Sequence, residues 1–257
     1  MINGYPIWVV LLIGVGVFAA SFVDAIGGGG GIISVPVYLL AGLPTHYALG
    51  TNKMSAGIGT AVSTFRYLRK GYVDWSLALP SVVLAIGGAY LGTTLQLKAD
   101  EQFLKYLLLA VLPLAAGLLL RKKSLPEQRG ELPRWKRCLA VWASSLVIGV
   151  YDGFYGPGTG TFLLLAFCLL GKQDVRTASG NVKLVNFSSN MGALATSLLA
   201  GTVYVGIGLV AACFSIAGHY FGAGLAIKNG SRIVRPVILC VIALLLLRVL
   251  AELMGIL

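Results

Sequence analysis

The chain has 257 residues, of which 57% are hydrophobic and 11% charged, with a mean hydropathy of +0.86. A soluble domain carries about 25% charged residues, so an ordinary soluble fold is excluded and the membrane class is favoured. The net charge of +11 comes from 20 Lys and Arg against 9 Asp and Glu. These charges lie mostly between apolar runs, which argues against nucleic-acid binding and for the loop charges that orient a membrane protein.

The first apolar run, 5–25, has no charge before Asp24. It lacks the basic start and small-residue cleavage site of a secretory signal, so it is expected to remain as a span. Five consecutive glycines follow, Gly27 to Gly31. The next apolar segment, 29–43, is short for a crossing and is interrupted at Val35-Pro36. Segments 46–68, 73–97 and 103–120 complete the first half, and the first of these carries Thr51, Asn52, Lys53 and Ser55. Residues 121–137 hold seven of the basic residues: Arg121, Lys122, Lys123, Arg129, Arg134, Lys136 and Arg137. The second half reads as 138–152, which ends in Asp152, then a short 158–171 opened by Gly156-Pro157, then 177–200, 203–227 and 233–255.

The halves repeat each other. Lys53 and Lys183 are 130 residues apart, and the same offset pairs Gly50 with Gly180, Gly71 with Gly201, and the GAYLG of Gly88 and Gly92 with the GHYFG of Gly218 and Gly222. An offset of 128 pairs Asp24 with Asp152, Gly28 with Gly156 and Gly30 with Gly158. Three parts follow: a first transmembrane repeat at 1–120, a basic linker at 121–137 and a second repeat at 138–257. The basic linker predicts a cytoplasmic position, together with Arg66, Arg69 and Lys70. In the second half the bias moves to Lys228, Arg232 and Arg235. That swap predicts inverted-topology repeats with both termini external. The expected fold is an all-α polytopic membrane protein with broken or re-entrant helices in about eight to ten hydrophobic segments.

Inside the apolar segments the ionisable groups are Asp24, Lys53, Asp152 and Lys183, all at repeat-equivalent positions. A buried charge in a bilayer costs at least ~2.5–3.5 kcal/mol, which makes each a functional candidate. Two readings stand: the lysines attract an anion, or buried Asp–Lys pairs lock the halves together. Asp24 and Asp152 either carry a coupling proton or balance the lysines. Gly28, Gly29 and Gly30, mirrored by Gly156 and Gly158, permit an unwound backbone whose N–H groups converge on an anion. A helix starting beyond each glycine run adds its positive end. Thr51, Asn52, Asn181, Asn186 and Asn190, with Ser55 and Ser189, are the expected polar lining. His219 has Ala89 at its repeat-equivalent position and reads as a packing residue. Cys138, Cys168, Cys213 and Cys240 are isolated and read as buried, inert thiols. No catalytic or metal-binding motif is evident, and neither is an ATP-binding motif or a cofactor site.

The segments VDAIGGGGGIISVP, ALGTNK, YDGFYGPGTGTF and NVKLVNFSSNMG resemble the sulfite exporter TauE/SafE family of bacterial inner-membrane permeases, and within it the YfcA-like branch. The resemblance covers essentially the whole chain. It implies a secondary transporter, an exporter of sulfite, sulfoacetate, a related sulfonate or another small organic anion. An anion channel and an importer of another small carboxylate or sulfonate are the alternatives. The implied partners are a small anionic substrate and the lipid bilayer, with a homodimer left open.

Overall fold

The structure is a computed structural model that describes residues 1–100, 128–234, 236–240, 243 and 247. The expected segment 103–120, the first part of the linker (121–127) and the end of the last segment lie outside the described residues. Among the described residues the named helices are α1 (Ile7–Gly27), α2 (Gly31–Leu40), α3 (Thr45–Arg69), α4 (Trp75–Lys98), α5 (Arg134–Phe154), α6 (Thr159–Leu169), α7 (Val175–Leu199) and α8 (Val205–Asn229). Residues 231–234 and 236–240 are also helical. No strand occurs among the described residues, apart from an isolated Ile2–Tyr5 bridge.

Helix length separates two kinds of element. α3 and α7 have 25 residues each, or roughly 37 Å at 1.5 Å per residue, enough for a ~30 Å hydrocarbon core. α2 has 10 residues and α6 has 11, so each reaches about half that distance. These are the expected broken helices. Helices α1, α4 and α8 are both long and apolar enough to cross a membrane. Their outer faces, with that of α5, expose large apolar side chains such as Trp8, Leu12, Val83, Leu91, Val147 and Phe221. Such a continuous apolar exterior is what a lipid environment stabilises. The more polar α3 and α7 pack against each other at the centre.

The breaks follow from the glycines. Gly28 ends α1 at φ +78, a conformation that L side chains rarely adopt. A Cβ there would fall on the backbone of Gly160 and Thr161, which shows how closely the two glycine stretches approach. Thr161 Oγ1 donates to Gly27 O at 3.0 Å across the same contact. α5 begins at Arg134, four residues before the expected start, because Pro133 precedes it in an extended conformation. Arg137, in its first turn, donates to Gly171 O at 3.0 Å and to Gly130 O at 2.8 Å. Those carbonyls compensate a cation at a helix end that disfavours it.

Tertiary packing exchanges helices between the sequence repeats. The most extensive helix contacts pair α1 with α8 and α4 with α5. Gly88 and Gly92 of α4 pack on Leu146 O and Val150 O of α5, while Gly218 and Gly222 of α8 pack on Phe18 O and Phe22 O of α1. The small-xxx-small spacing allows both approaches. One bundle is therefore α1, α2, α3 and α8, with a core including Val10, Val17, Tyr38 and Ile207. The other is α5, α6, α7 and α4, with a core including Leu77, Val141, Leu163 and Val185. Each bundle takes its last helix from the other repeat. Cys168 is buried and Cys138 partly so, but Cys213 and Cys240 are exposed. These two stand on outward helix faces, where an apolar thiol suits lipid, so the expectation of buried thiols fails for them.

Candidate functional site

Two ion pairs cross between the bundles. Lys53 Nζ on α3 meets Asp152 Oδ1 on α5 at 2.8 Å and also donates to Asp152 O at 2.6 Å. Lys183 Nζ on α7 meets Asp24 Oδ2 on α1 at 3.0 Å and donates to Asp24 O. The repeat symmetry holds at the level of atoms: each lysine grips the side chain and the carbonyl of the other half's aspartate. The aspartates sit near the C-terminal ends of α1 and α5, where the negative end of the helix dipole stabilises a cation. Gly30 N donates to Asp24 Oδ1 at 3.1 Å, and Ser189 Oγ to Asp152 Oδ2 at 2.7 Å. All four charged groups are therefore neutralised in pairs, with Lys53, Asp152 and Lys183 almost wholly buried.

Beside these pairs is a small cavity of about 40 Å³. A water needs ~10–15 Å³ by this measure, so the space suits a few waters or one small oxyanion. Its wall contains Asp24, Lys53 and Asp152, the glycine breaks Gly29, Gly30, Gly156 and Gly158, and the side chains of Asn52, Asn186 and Asn190. Gly31 and Thr159, the first residues of α2 and α6, also line it. Two helix N-termini thus open onto one cavity, with partial positive charge at each. Asn52 Oδ1 accepts from Ser34 Oγ at 2.6 Å, which leaves its amide group as a donor. Asn190 Nδ2 donates to Asn186 O at 2.7 Å.

Five of the residues expected at the site do not line the cavity, among them Ser189, whose Oγ donates to Asp152 Oδ2. Lys183 is engaged by Asp24, and Gly28 is packed on the α6 backbone. Thr51 Oγ1 accepts from Tyr204 N at 3.0 Å, and Asn181 Oδ1 from Asp74 N at 2.9 Å. Tyr204 and Asp74 are the residues before α8 and α4. Thr51 and Asn181 therefore hold the starts of the two exchanged helices, one from each repeat. Helix starts carry unpaired N–H groups, and here the acceptor comes from the opposite half.

Sequence reasoning missed Ser21, Ser34, Thr159 and above all His219 in the cavity wall. His219 is 1% exposed, with Nδ1 3.1 Å from Ser63 Oγ and Nε2 3.9 Å from Asp24 Oδ2. The available signal was its lack of a repeat partner, since an asymmetric polar residue in a symmetric frame needs its own reason. No group of His, Cys, Asp and Glu that could hold a metal occurs among the described residues.

Comparison with known proteins places the chain in a family. The sulfite exporter TauE/SafE family is matched over residues 12–249. The chain belongs to the sulfite exporter TauE/SafE family. Among curated relatives, a probable membrane transporter protein, ORF9, of a Sinorhizobium species is 35% identical over 93% of this chain and 91% of its own length. A probable membrane transporter protein of Haemophilus influenzae is 36% identical over 86% of both chains. The probable membrane transporter protein YfcA of Escherichia coli is 31% identical over 95% of this chain and 92% of its own. No solved structure matches the chain. With the apolar helices, these matches identify a membrane transporter of the TauE/SafE type.

Proposed function

We propose that this TauE/SafE transporter is a secondary carrier that exports a small sulfur-containing or organic anion, such as sulfite, sulfoacetate or a related sulfonate, and has no enzymatic role. The observation that carries the reading is the cavity at the meeting of the two glycine breaks, lined by two helix N-termini and by Lys53. Broken helices that aim their N-termini at an anionic group are the usual construction of midplane sites in secondary transporters. The family's name supplies the sulfur oxyanion. The cavity volume fits an anion of that size better than a large organic acid.

Alternating access follows from the bundles. Both ion pairs join the bundle of α1, α2, α3 and α8 to that of α4, α5, α6 and α7. An anion entering between them competes with Asp152 for Lys53, loosening one tie while it binds. The moving units are these bundles rather than the two sequence repeats. We place the protein in the inner membrane with the basic linker 121–137 cytoplasmic and both termini external, on the distribution of Lys and Arg.

The test is labelled sulfite and sulfonate flux in proteoliposomes. Saturable flux stimulated by a counter-anion supports a carrier, and unsaturable flux supports a channel. A Lys53→Met/Asp152→Asn variant keeps the cavity uncharged on that side and is expected to fold without transporting. Unchanged flux in that variant defeats the assignment.

A further inference from the structure

We infer that His219 is a proton-binding site, and that the anion crosses together with a proton taken up there. This rests on the anion reading of the same cavity and deepens it. The ion pairs leave the site formally neutral, because the charges of Lys53 and Lys183 cancel those of Asp152 and Asp24. A monoanion entering this cavity adds one negative charge where water is largely excluded, and an unbalanced buried charge is costly. The two helix ends offer only partial charges, and one of them is already engaged through Gly30 N and Asp24 Oδ1. A proton on a cavity-lining group restores neutrality.

His219 is the remaining titratable group in the cavity wall. From α1, Asp24 faces it. From α3, Ser63 contacts it and Lys53 stands across the cavity; from α7, Lys183 lies beyond Asp24, and from α5, Asp152 accompanies Lys53. The hydrogen bonds assign the ring nitrogens. Ser63 Oγ donates to Thr60 O at 3.0 Å, so its lone pairs accept from Nδ1–H of His219. Nε2 then carries the ring's lone pair and points toward Asp24 Oδ2. Without a proton, that lone pair and the carboxylate repel weakly. With a proton, the imidazolium and Asp24 attract, and Asp24 has less hold on Lys183. Binding the proton thus places a positive charge on His219, in the wall of the cavity that takes the anion.

The arrangement is built on one side only. The positions equivalent to His219 and Ser63 in the other repeat are Ala89 and Ala193. Gly59 makes the room: a Cβ there would meet His219 Cδ2 at 2.5 Å. The proton enters on Nε2 from the side on which the anion binds and leaves with it on the other. Direction follows from the combined gradients, so export proceeds when the outward anion gradient exceeds the opposing proton gradient.

Ethanesulfonate is the probe, because its sulfonate does not titrate between about pH 5 and pH 8, the window in which histidine does. Its binding is measured by thermal shift on purified protein across that window, and proton movement by a pH dye inside proteoliposomes. In the wild type the affinity is expected to fall about tenfold per pH unit as the pH rises through the titration, with one proton crossing per anion. His219→Gln is expected to bind weakly with no pH slope and to move no protons. Ser63→Ala keeps the ring but frees Nδ1, and is expected to shift the pH at which affinity falls; it serves if His219→Gln does not fold. A wild-type affinity that is flat with pH overturns the inference while leaving the anion reading intact, and so does a slope that persists in His219→Gln. Absence of saturable binding of ethanesulfonate or sulfite at every pH overturns both.

Discussion

Lys53 of the first repeat and Asp152 of the second are joined at 2.8 Å, and their repeat mates Lys183 and Asp24 are joined at 3.0 Å in the reciprocal sense. Neither lysine awaits an anion as a bare charge. Each is part of a buried pair that ties one bundle to the other, so the proposed anion binding and bundle separation would act on the same atoms.

Breaking one pair should therefore cost far more than removing it. Lys53→Met leaves Asp152 buried without its cation, for an expected loss of about 3–5 kcal/mol, whereas the double change Lys53→Met/Asp152→Asn should recover most of it. Melting temperatures of the purified single and double variants check this. A double variant no more stable than the single one would show that the pair is not the unit.

The glycine breaks should tolerate no side chain. Gly28 has φ +78 and Gly156 φ +94, so alanine at either position carries about 1–3 kcal/mol of backbone strain. At Gly28 the added Cβ also collides with the α6 backbone, and Gly28→Ala is expected to lower folded yield sharply. At Gly156 the added Cβ meets Lys53 Nζ at 2.8 Å and Asp152 Oδ1 at 3.1 Å. Gly156→Ala should thus retain more folded protein than Gly28→Ala yet abolish flux. Size-exclusion profiles and flux assays separate the two effects.

Thr51 and Asn181 should behave as structural residues. Each accepts from the backbone N–H that starts an exchanged helix, an interaction comparable to a helix cap at about 1 kcal/mol. Thr51→Ala and Asn181→Ala are expected to lower the melting temperature while leaving the apparent KM for the transported anion near that of the wild type. A large change in KM with unchanged stability would return these residues to the substrate.

Orientation is testable without a substrate. Protease-accessible tags at either terminus should be cleaved from outside intact spheroplasts, and a tag within 121–137 only after the membrane is opened. The opposite pattern would reverse the assignment made from Lys and Arg.

Much of the frame was legible in the residues. Apolar run lengths marked α1 to α8 because the bilayer demands a set length and internal backbone hydrogen bonding. The 130- and 128-residue offsets revealed the repeat, and the paired glycines marked both helix breaks. The four intramembrane charges stood out because each is costly there, and Asn52, Asn186 and Asn190 do line the cavity. What linear order conceals is which half supplies each partner. Only packing decided that Lys53 meets Asp152, that α4 and α8 are exchanged, that Thr51 and Asn181 face backbone amides, and that His219 reaches Asp24. The reason is physical: periodicity and cost per residue are local properties, whereas the neighbour across a helix interface depends on backbone approach, and here small glycine contacts set that approach between segments more than a hundred residues apart.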